Sequence, residues 1–288
     1  MGIGNLYATV LNNLGHGVIT VDSNPTKGAD FLTVDDAIAE CQMFDTVHIC
    51  TPNFTHEEIA RKLAPVSKIV FIEKPGVVDS LAWTNLVETF KYTRFMMVKN
   101  NMWRSNIEEL KSHVANARTV KIKWMNKNRI PNPGTWFTTK HLAYGGVSRD
   151  LMPHLLSLYI ALNPKWSTAT MTGQEKRQHH TLDTIEDTEY GAVKRDGVYD
   201  VDDLCKIKYM QNGRTWKMEA NWADGKEDHR AITFEMDNGT DIVFELGLCP
   251  EEAYQAMIKE AVERMDDPAF WIKQIEQDIW IHDRITSV

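Results

Sequence analysis

Asp150 and His154 are the two residues whose types and spacing point most directly to chemistry. They lie four apart in Gly145-Gly146-Val147-Ser148-Arg149-Asp150-Leu151-Met152-Pro153-His154, which leads into an apolar helix over 155–162. On one helix face, a carboxylate beside an imidazole orients a general base that titrates near neutral pH. Because Pro153 fits a first helical turn, the regular helix can start there and leave Asp150 in the preceding turn. In the alternative interpretation, Asp150 caps the helix and His154 is a packing residue.

A glycine pair at the start of the chain suggests a second kind of chemistry. The segment Gly2-Ile3-Gly4-Asn5-Leu6-Tyr7 opens the first predicted helix, and a predicted strand over 18–21 ends at Asp22. Glycines let a backbone approach a pyrophosphate at the positive end of a helix, and an acidic residue can bind an adenosine ribose. A carboxylate at Asp22 would repel a 2′-phosphate, which favours NAD over NADP. Since Tyr7 replaces the third glycine of the fingerprint, an ordinary turn is the alternative.

Two further polar segments follow predicted strands. Thr51-Pro52-Asn53-Phe54-Thr55-His56 comes after a strand over 46–50, and Glu73-Lys74-Pro75 comes after a strand over 69–72. Ligands of open parallel sheets bind at the carboxyl ends of strands, so both segments are expected at the same crevice as the glycines. The alternative is that the prolines only end the strands and Lys74 is a solvated surface lysine.

The elements that must position these residues fall into two halves. Up to about residue 99, strand-like and helix-like apolar clusters alternate, which predicts a parallel sheet covered by helices. Beyond residue 100, a strand over 120–124 and alternating runs near 205–209, 216–222, 232–236 and 242–246 predict an open antiparallel sheet. Asn212-Gly213 and Asn238-Gly239 are typical hairpin turns.

The remaining predicted elements complete this division. The strands of the first half are placed at 18–21, 46–50, 69–72 and 95–98, with a weak one at 31–34. Residues 174–187 and 194–203 are predicted surface loops, and the last forty residues are predicted helical with a break at Pro268. The predicted fold class is α/β, with a Rossmann-like domain over 1–99 and an α+β domain over 100–288 that binds substrate and forms oligomers.

The start of the chain conflicts with this scheme. Met1-Gly2 leaves no room for the strand that should precede the glycines and occupy the centre of the 3-2-1-4-5-6 sheet. Two neighbouring strands would then keep unpaired backbone groups. We expect the sequence as given to begin downstream of the natural start. If the strand is instead lost, the alternatives are a refashioned pocket or a non-catalytic binding protein.

Composition narrows the class of partner. The chain has 288 residues, 32 Lys plus Arg against 40 Asp plus Glu, and a formal charge of -8, which argues against nucleic acid or an anionic membrane surface. The cysteines are too dispersed for a metal knuckle or a redox pair, and no apolar run reaches the length of a membrane span. We predict a cytoplasmic protein without a metal that acts on a small molecule.

These segments, in this order, resemble the Gfo/Idh/MocA family of NAD(P)-dependent oxidoreductases. The family's hallmarks are a glycine-rich start, Thr-Pro-Asn-x-x-His, Glu-Lys-Pro and Gly-Gly-x-x-x-Asp-x-x-x-His; segments 133–137 and 219–223 also look similar to family segments. The resemblance implies that Lys74 and His154 are the catalytic pair and Asp150 a third site residue. By the same resemblance the cofactor is NAD, surrounded by Gly2, Gly4, Asn5, Asp22, Thr51, Pro52, Asn53, His56, Glu73 and Lys74.

The implied reaction is oxidation of a secondary alcohol in a sugar, polyol or sugar derivative. His154 would be the base and Lys74 the positive charge beside the developing alkoxide. Arg104 and Trp136 are weaker candidates for substrate contact, together with Asp150 and His154. The chain departs from the family at Met152, where a glycine is usual. The resemblance also implies a homodimer or homotetramer through the C-terminal sheet.

Two alternatives to this function stay open. One is a nucleotide- or sugar-binding protein of the same fold that has lost turnover. The other is a related reductase of a non-sugar substrate such as a tetrapyrrole, which the retention of Lys74 disfavours.

Overall fold

A computed structural model describes residues 2–187, 191–223 and 227–286. Its helices, in chain order, are α1 Ile3–Asn13, α2 Val34–Glu40, α3 His56–Leu63, α4 Ser80–Thr89, α5 Ile107–Val114, α6 Lys140–Ala143, α7 Val147–Asp150, α8 Met152–Leu162, α9 Glu251–Glu263 and α10 Pro268–Thr286. Its strands are β1 Phe44–Ile49, β2 Ser67–Ile72, β3 Arg94–Met97, β4 Ala117–Met125, β5 Thr170–Arg177, β6 Leu204–Gln211, β7 Arg214–Asn221, β8 His229–Met236 and β9 Asp241–Glu245.

The chain forms two compact units, and the first is built from both ends of the sequence. It comprises residues up to 98 together with 251–283, and the second comprises 99–250 and the residues from 284 onward. The predicted division at 99/100 differs in that it assigned 251–283 to the second domain. Two hydrogen bonds join these helices to the rest of the first unit. Glu251 of α9 accepts one of 2.8 Å from Asn13, and Asp278 of α10 accepts one of 3.1 Å from the Met97 backbone.

The sheet of the first unit is parallel and has the order β1-β2-β3 within the described residues. Its central strand, β2, is buried along Ile69–Ile72, as expected for a strand covered on both faces. The strand predicted over 18–21 and the weak one over 31–34 do not form. Only Val21 and Phe31 pair, in an isolated parallel bridge, and Val21 stays 38% exposed. β-branched residues favour a strand only where neighbours cover them, which is not the case here.

Local contacts set the helix ends of the first unit. α1 ends before Gly15, whose φ of 81° is the left-handed conformation that glycine adopts at low cost. Asp79 caps α4 by accepting a 2.8 Å hydrogen bond from the Ala82 backbone. Thr55 precedes α3 but does not cap it, since its hydroxyl bonds the Thr51 hydroxyl at 2.6 Å and the Pro52 carbonyl at 2.7 Å instead.

The sheet of the second unit has the order β5-β6-β7-β4-β8-β9. Asn212-Gly213 and Asn238-Gly239 turn the predicted hairpins, and Asn212 and Gly213 have positive φ. The prediction of an antiparallel sheet needs correction at one pair, because β4 and β7 run parallel. The loop predicted from residue 174 is also partly wrong, since β5 extends to Arg177. Tyr159 of α8 packs on the sheet, with its ring 5.0 Å from that of Trp216.

Along the described ranges, with their gaps at 188–190 and 224–226, no helix combines the length and apolarity that a membrane crossing requires.

Candidate active site

The N-terminus of α1 is open toward an anion. Gly2 is the N-cap and supplies no capping side chain, and the first turn holds no acidic residue. A Cβ built on Gly2 would meet nothing within 4 Å, and one on Gly4 would meet only the Cys50 Cβ at 3.8 Å. Asn5 lies in this turn and donates its backbone N–H to the Gly2 carbonyl at 3.1 Å. The open space before uncapped N–H groups fits a pyrophosphate.

The start of α1 meets the carboxyl ends of β1 and β2. Glu73, just after β2, donates its backbone N–H to the Ile49 carbonyl at 3.0 Å. Its carboxylate accepts a 2.8 Å hydrogen bond from the Tyr7 hydroxyl of α1. Since Gly4 also faces Cys50, three of the predicted cofactor segments converge at one end of the parallel sheet.

Tyr7, the residue that replaces the third glycine, is part of this cluster and was not predicted as a site residue. It is 2% exposed, and its pKa is raised well above the ordinary value, first by burial and then by the charge of Glu73. The phenol therefore stays protonated and donates to the carboxylate. The sequence signal for Tyr7 was its place at the third glycine of the fingerprint. That signal did not identify Glu73, 66 residues away, as its partner.

We expect Tyr7→Phe to destabilise the first unit. The substitution keeps the ring and removes the hydroxyl that donates a hydrogen bond to the buried carboxylate of Glu73. The free energy of unfolding should fall by about 1.5–3 kcal/mol, the value for a hydrogen bond to a charged group. Urea unfolding monitored by circular dichroism measures this difference. Tyr92→Phe is the matched control, because Tyr92 is fully exposed and its change should leave the unfolding free energy unaltered. Equal unfolding free energies for the Tyr7 variant and the wild type would contradict the expectation.

The Thr51-Pro52-Asn53 segment is held by His56. Its ring is fully buried, with Nε2 2.8 Å from the Thr51 carbonyl and Nδ1 2.7 Å from the Gly76 carbonyl. Burial lowers the pKa of His56, whereas the two backbone hydrogen bonds act in the opposite direction. Asn53, which follows Pro52, is also buried. His56 thus ties the end of β1 to the turn after Lys74.

A turn supported by α10 carries Lys74. The backbone N–H of Lys74 lies 3.2 Å from the Glu73 carboxylate, and the Lys74–Pro75 peptide is cis. Val77 donates its N–H to His282 Nε2 at 3.2 Å, and the other ring nitrogen of His282 donates to the Asp278 carbonyl at 2.7 Å. A Cβ built on Gly76, between Pro75 and Val77, would lie 2.6 Å from Nε2 of the same imidazole. No sequence signal linked the C-terminal helix to this turn.

Asp22 lies on the surface of the first unit. Its carboxylate accepts a 2.9 Å hydrogen bond from the Asn24 backbone, and its own N–H donates to the Phe31 carbonyl at 3.1 Å. The side chain is exposed to solvent. Binding of the adenosine ribose by Asp22 stays a prediction.

In the second unit, Asp150 ends α7 and is oriented by an aromatic residue. Trp222 donates its indole N–H to the Asp150 carboxylate at 2.9 Å. α8 starts at Met152, with Pro153 in its first turn, as predicted. The alternative in which Asp150 caps this helix is wrong, because Leu151 is the N-cap and no side chain caps the helix. Trp222 was recognised only as part of a family-like segment.

His154 lies in the first turns of α8, between a polar and an aromatic contact. Asn101 Nδ2 lies 3.1 Å from His154 Nδ1, and the Trp124 ring stacks on the imidazole with a centroid distance of 5.4 Å. Arg230 places its guanidinium 4.5 Å from the centre of the same indole. Asn101 is buried and was not predicted as a site residue, although it lies three residues before Arg104.

Arg104 and Trp136 were the weaker candidates for substrate contact. Arg104 donates to Asn101 Oδ1 and to the Gly247 carbonyl, both at 2.8 Å. Trp136 is half-buried and packs on Phe137 with a centroid distance of 4.7 Å, and Phe137 in turn lies 6.2 Å from Trp222. Trp136 therefore belongs to an aromatic cluster that extends to the partner of Asp150.

Comparison with known proteins gives a family match within the first unit. Residues 19–99 match the Gfo/Idh/MocA family model, described as an oxidoreductase family with an NAD-binding Rossmann fold. "Putative UDP-kanosamine synthase oxidoreductase subunit" of Amycolatopsis mediterranei (strain S699) is 29% identical over 126 residues, 42% of this chain and only 35% of that relative. "Oxidoreductase P35" of Formosa agariphila is 23% identical over 259 residues, 81% of this chain and 75% of that protein.

Solved structures share the fold over nearly the whole chain. GenD2 from gentamicin A biosynthesis, in complex with NAD, has a TM-score of 0.76 at 16% identity and covers 98% of this chain and 89% of its own. Levoglucosan dehydrogenase, in complex with NADH and levoglucosan, has a TM-score of 0.66 at 18% identity and covers 92% and 85%. The family match over 19–99, together with the Rossmann-like sheet that carries it, makes this part of the chain similar to the Gfo/Idh/MocA family of NAD-binding oxidoreductases.

Proposed function

We propose that this protein oxidises a secondary alcohol of a sugar, polyol or sugar derivative to a ketone, or reduces the ketone, with NAD as the cofactor. The observation that carries the proposal is the convergence of the uncapped α1 N-terminus with the ends of β1 and β2, joined by Tyr7 and Glu73. This geometry fits a dinucleotide whose pyrophosphate lies at the helix N-terminus. Similarity to a dehydrogenase solved with levoglucosan and to an aldose–aldose oxidoreductase supports the sugar class.

The residues proposed to hold the cofactor each have a distinct task. Gly2, Gly4 and Asn5 leave the first-turn N–H groups accessible to phosphate oxygens, and Asp22 accepts hydrogen bonds from the adenosine ribose. Thr51, Pro52, Asn53 and His56 form the wall at the end of β1, and Glu73 anchors the turn that presents Lys74. NAD, when bound, supplies the acceptor for the hydride of the substrate carbinol.

The residues proposed to act on substrate also have separate tasks. The ammonium of Lys74 would stabilise negative charge on the substrate oxygen, and His154 would contact that oxygen through a ring nitrogen. Asp150, oriented by Trp222, would bind a neighbouring hydroxyl, and Trp136 offers an aromatic surface of the kind that packs on sugar rings. Arg104 would contribute through Asn101, which it holds.

Binding and turnover measured together test this proposal. NADH is titrated against the purified protein by fluorescence, and absorbance at the nicotinamide band is followed with NAD and a panel of sugars and polyols. Saturable NADH binding with turnover of at least one member supports the proposal. Saturable binding without turnover favours a binding protein, and absence of binding rejects the cofactor assignment.

Asp22→Ala tests the adenosine site within the same assay. Loss of hydrogen bonds from the ribose hydroxyls to a charged carboxylate should weaken NAD binding by about 10- to 100-fold. It should also reduce the preference for NAD over NADP, since the carboxylate no longer repels a 2′-phosphate. Asp45→Ala is the matched control, because this exposed carboxylate lies at the opposite end of β1. Unchanged NAD affinity in Asp22→Ala would place the adenosine site elsewhere.

A further inference from the structure

The hydrogen bonds around His154 determine which of its two ring nitrogens carries the proton. Arg104 donates its Nε–H to Asn101 Oδ1 at 2.8 Å. A guanidinium has no acceptor, so the atom of Asn101 that faces it must be the amide oxygen. The amide nitrogen of Asn101 therefore faces His154, and this orientation is imposed by the arginine.

Both hydrogens of that amide nitrogen have acceptors. Asn101 Nδ2 lies 3.4 Å from Asn100 Oδ1 and 3.1 Å from His154 Nδ1. Asn101 is only 2% exposed, so a donor left without an acceptor would cost the desolvation of a buried polar group. His154 Nδ1 consequently accepts a hydrogen bond, which requires a lone pair at that nitrogen.

We infer that Arg104 and Asn101 hold His154 in the neutral tautomer that carries its proton on Nε2, so that His154 donates a hydrogen bond to the substrate oxygen instead of acting as the base. The inference rests on the proposed function for the identity of the substrate oxygen, but the tautomer itself does not. Arg104 and Asn101 are positioning residues, because they act through the imidazole.

The chemical consequence follows from the proton count of an imidazole. In this tautomer Nε2 already has a proton, and the nitrogen that could accept another, Nδ1, faces an amide N–H. An imidazolium would bring two N–H groups face to face and lose the Asn101 hydrogen bond. The proton of the substrate hydroxyl must then leave to a group other than His154. The Asp150 carboxylate, which Trp222 orients, can accept it through the neighbouring hydroxyl that Asp150 is proposed to bind.

Two further contacts stabilise the same arrangement. The Trp124 ring stacks on His154 at an interplanar angle of 24°, which restricts rotation of the imidazole about its own axis. Arg104 is fixed at its other end by the Gly247 carbonyl, 2.8 Å from Nη2. The Gly247 carbonyl thus fixes the Arg104 guanidinium, and the guanidinium in turn fixes the orientation of the Asn101 amide.

The tautomer can be measured directly by nuclear magnetic resonance. In protein labelled with ¹⁵N-histidine, the two ring nitrogens of His154, assigned by their absence in His154→Gln, report which one carries the proton at about pH 8, above the ordinary titration range of histidine. We expect a protonated Nε2 and an unprotonated Nδ1 in the wild type. A proton on Nδ1 in the wild type would overturn the inference, whether or not any variant folds.

Asn101→Asp is designed to reverse the tautomer. An aspartate keeps the oxygen that faces Arg104 and presents an acceptor to His154, so the proton should move to Nδ1. We expect kcat to fall by about 10²-fold or more, as for loss of a correctly protonated catalytic group, with KM within about 3-fold. Asn106→Asp, the same change in the turn just before α5, is the matched control and should change neither the tautomer nor the kinetics.

The outcomes separate this inference from the proposed function. An unchanged His154 tautomer in folded Asn101→Asp would reject it. A reversed tautomer accompanied by wild-type kcat would reject the assigned role of the Nε2–H group in turnover. If the wild type shows the Nε2–H tautomer but oxidises no sugar or polyol, the proposed function fails while the positioning by Arg104 and Asn101 stands.

Discussion

Lys74→Met should lower kcat for alcohol oxidation by about 10³-fold or more, while the NAD dissociation constant stays within about 3-fold. Methionine has nearly the length of lysine and lacks the charge, so the change removes the group proposed to stabilise the substrate oxygen. The backbone of residue 74 keeps its contact with Glu73, and the turn keeps its support from His282. Cofactor binding is therefore expected to survive the loss of turnover.

The measurement combines steady-state kinetics with NADH fluorescence titration of the same preparation. Lys68→Met is the matched control, because Lys68 lies at the opposite end of β2 and pairs with the exposed Asp45. It should keep wild-type kcat. Full activity of Lys74→Met would remove this lysine from the mechanism, and a large loss of NAD affinity would reassign it to cofactor binding.

His154→Ala should also abolish most turnover, with kcat reduced by about 10²- to 10⁴-fold and NAD affinity little changed. The imidazole is proposed to contact the substrate oxygen, and Asn101 would be left with a buried amide hydrogen facing a cavity. Stability is followed by thermal unfolding, so that a folding defect is not counted as a catalytic one.

His154→Gln separates the two possible roles of the imidazole. A glutamine can donate a hydrogen bond from its amide but cannot serve as a base near neutral pH. If His154 acts as a donor, this variant should retain about 10-fold more activity than His154→Ala. Equal activity of the two variants would favour a base. His141→Ala, an exposed histidine of α6 in the same unit, should leave kcat unchanged and serves as the control.

The sequence predicted the elements whose signals are local. Alternation of apolar residues located β2, β3 and most strands of the second sheet to within a few residues, and the Asn-Gly pairs located its hairpins. Pro268 marked the start of α10 correctly, because the missing N–H of a proline acts within one turn of the chain. The motifs that contain Lys74 and His154 could also be recognised, because each is a short segment of neighbouring residues.

Predictions failed where a segment depends on neighbours that are distant in sequence. Val18 to Val21 has the composition of a strand, but a strand also needs a ladder partner, and only one bridge to Phe31 forms. Residues from Gln174 looked polar, yet they pair with β6 as the edge strand β5, where one side can face solvent. The helices over 251–283 showed an apolar face without indicating which sheet it covers.

What the sequence determined by itself is the succession of helices and strands and the identity of the reactive side chains, because backbone propensities and motif spacing are properties of neighbouring residues. Only the tertiary structure decided which groups orient those side chains. Tyr7 bonds Glu73 across 66 residues, His282 supports the Lys74 turn across more than 200, and Asn101 meets His154 across 53. A hydrogen bond depends on distance and angle in space, and these are set when the chain packs.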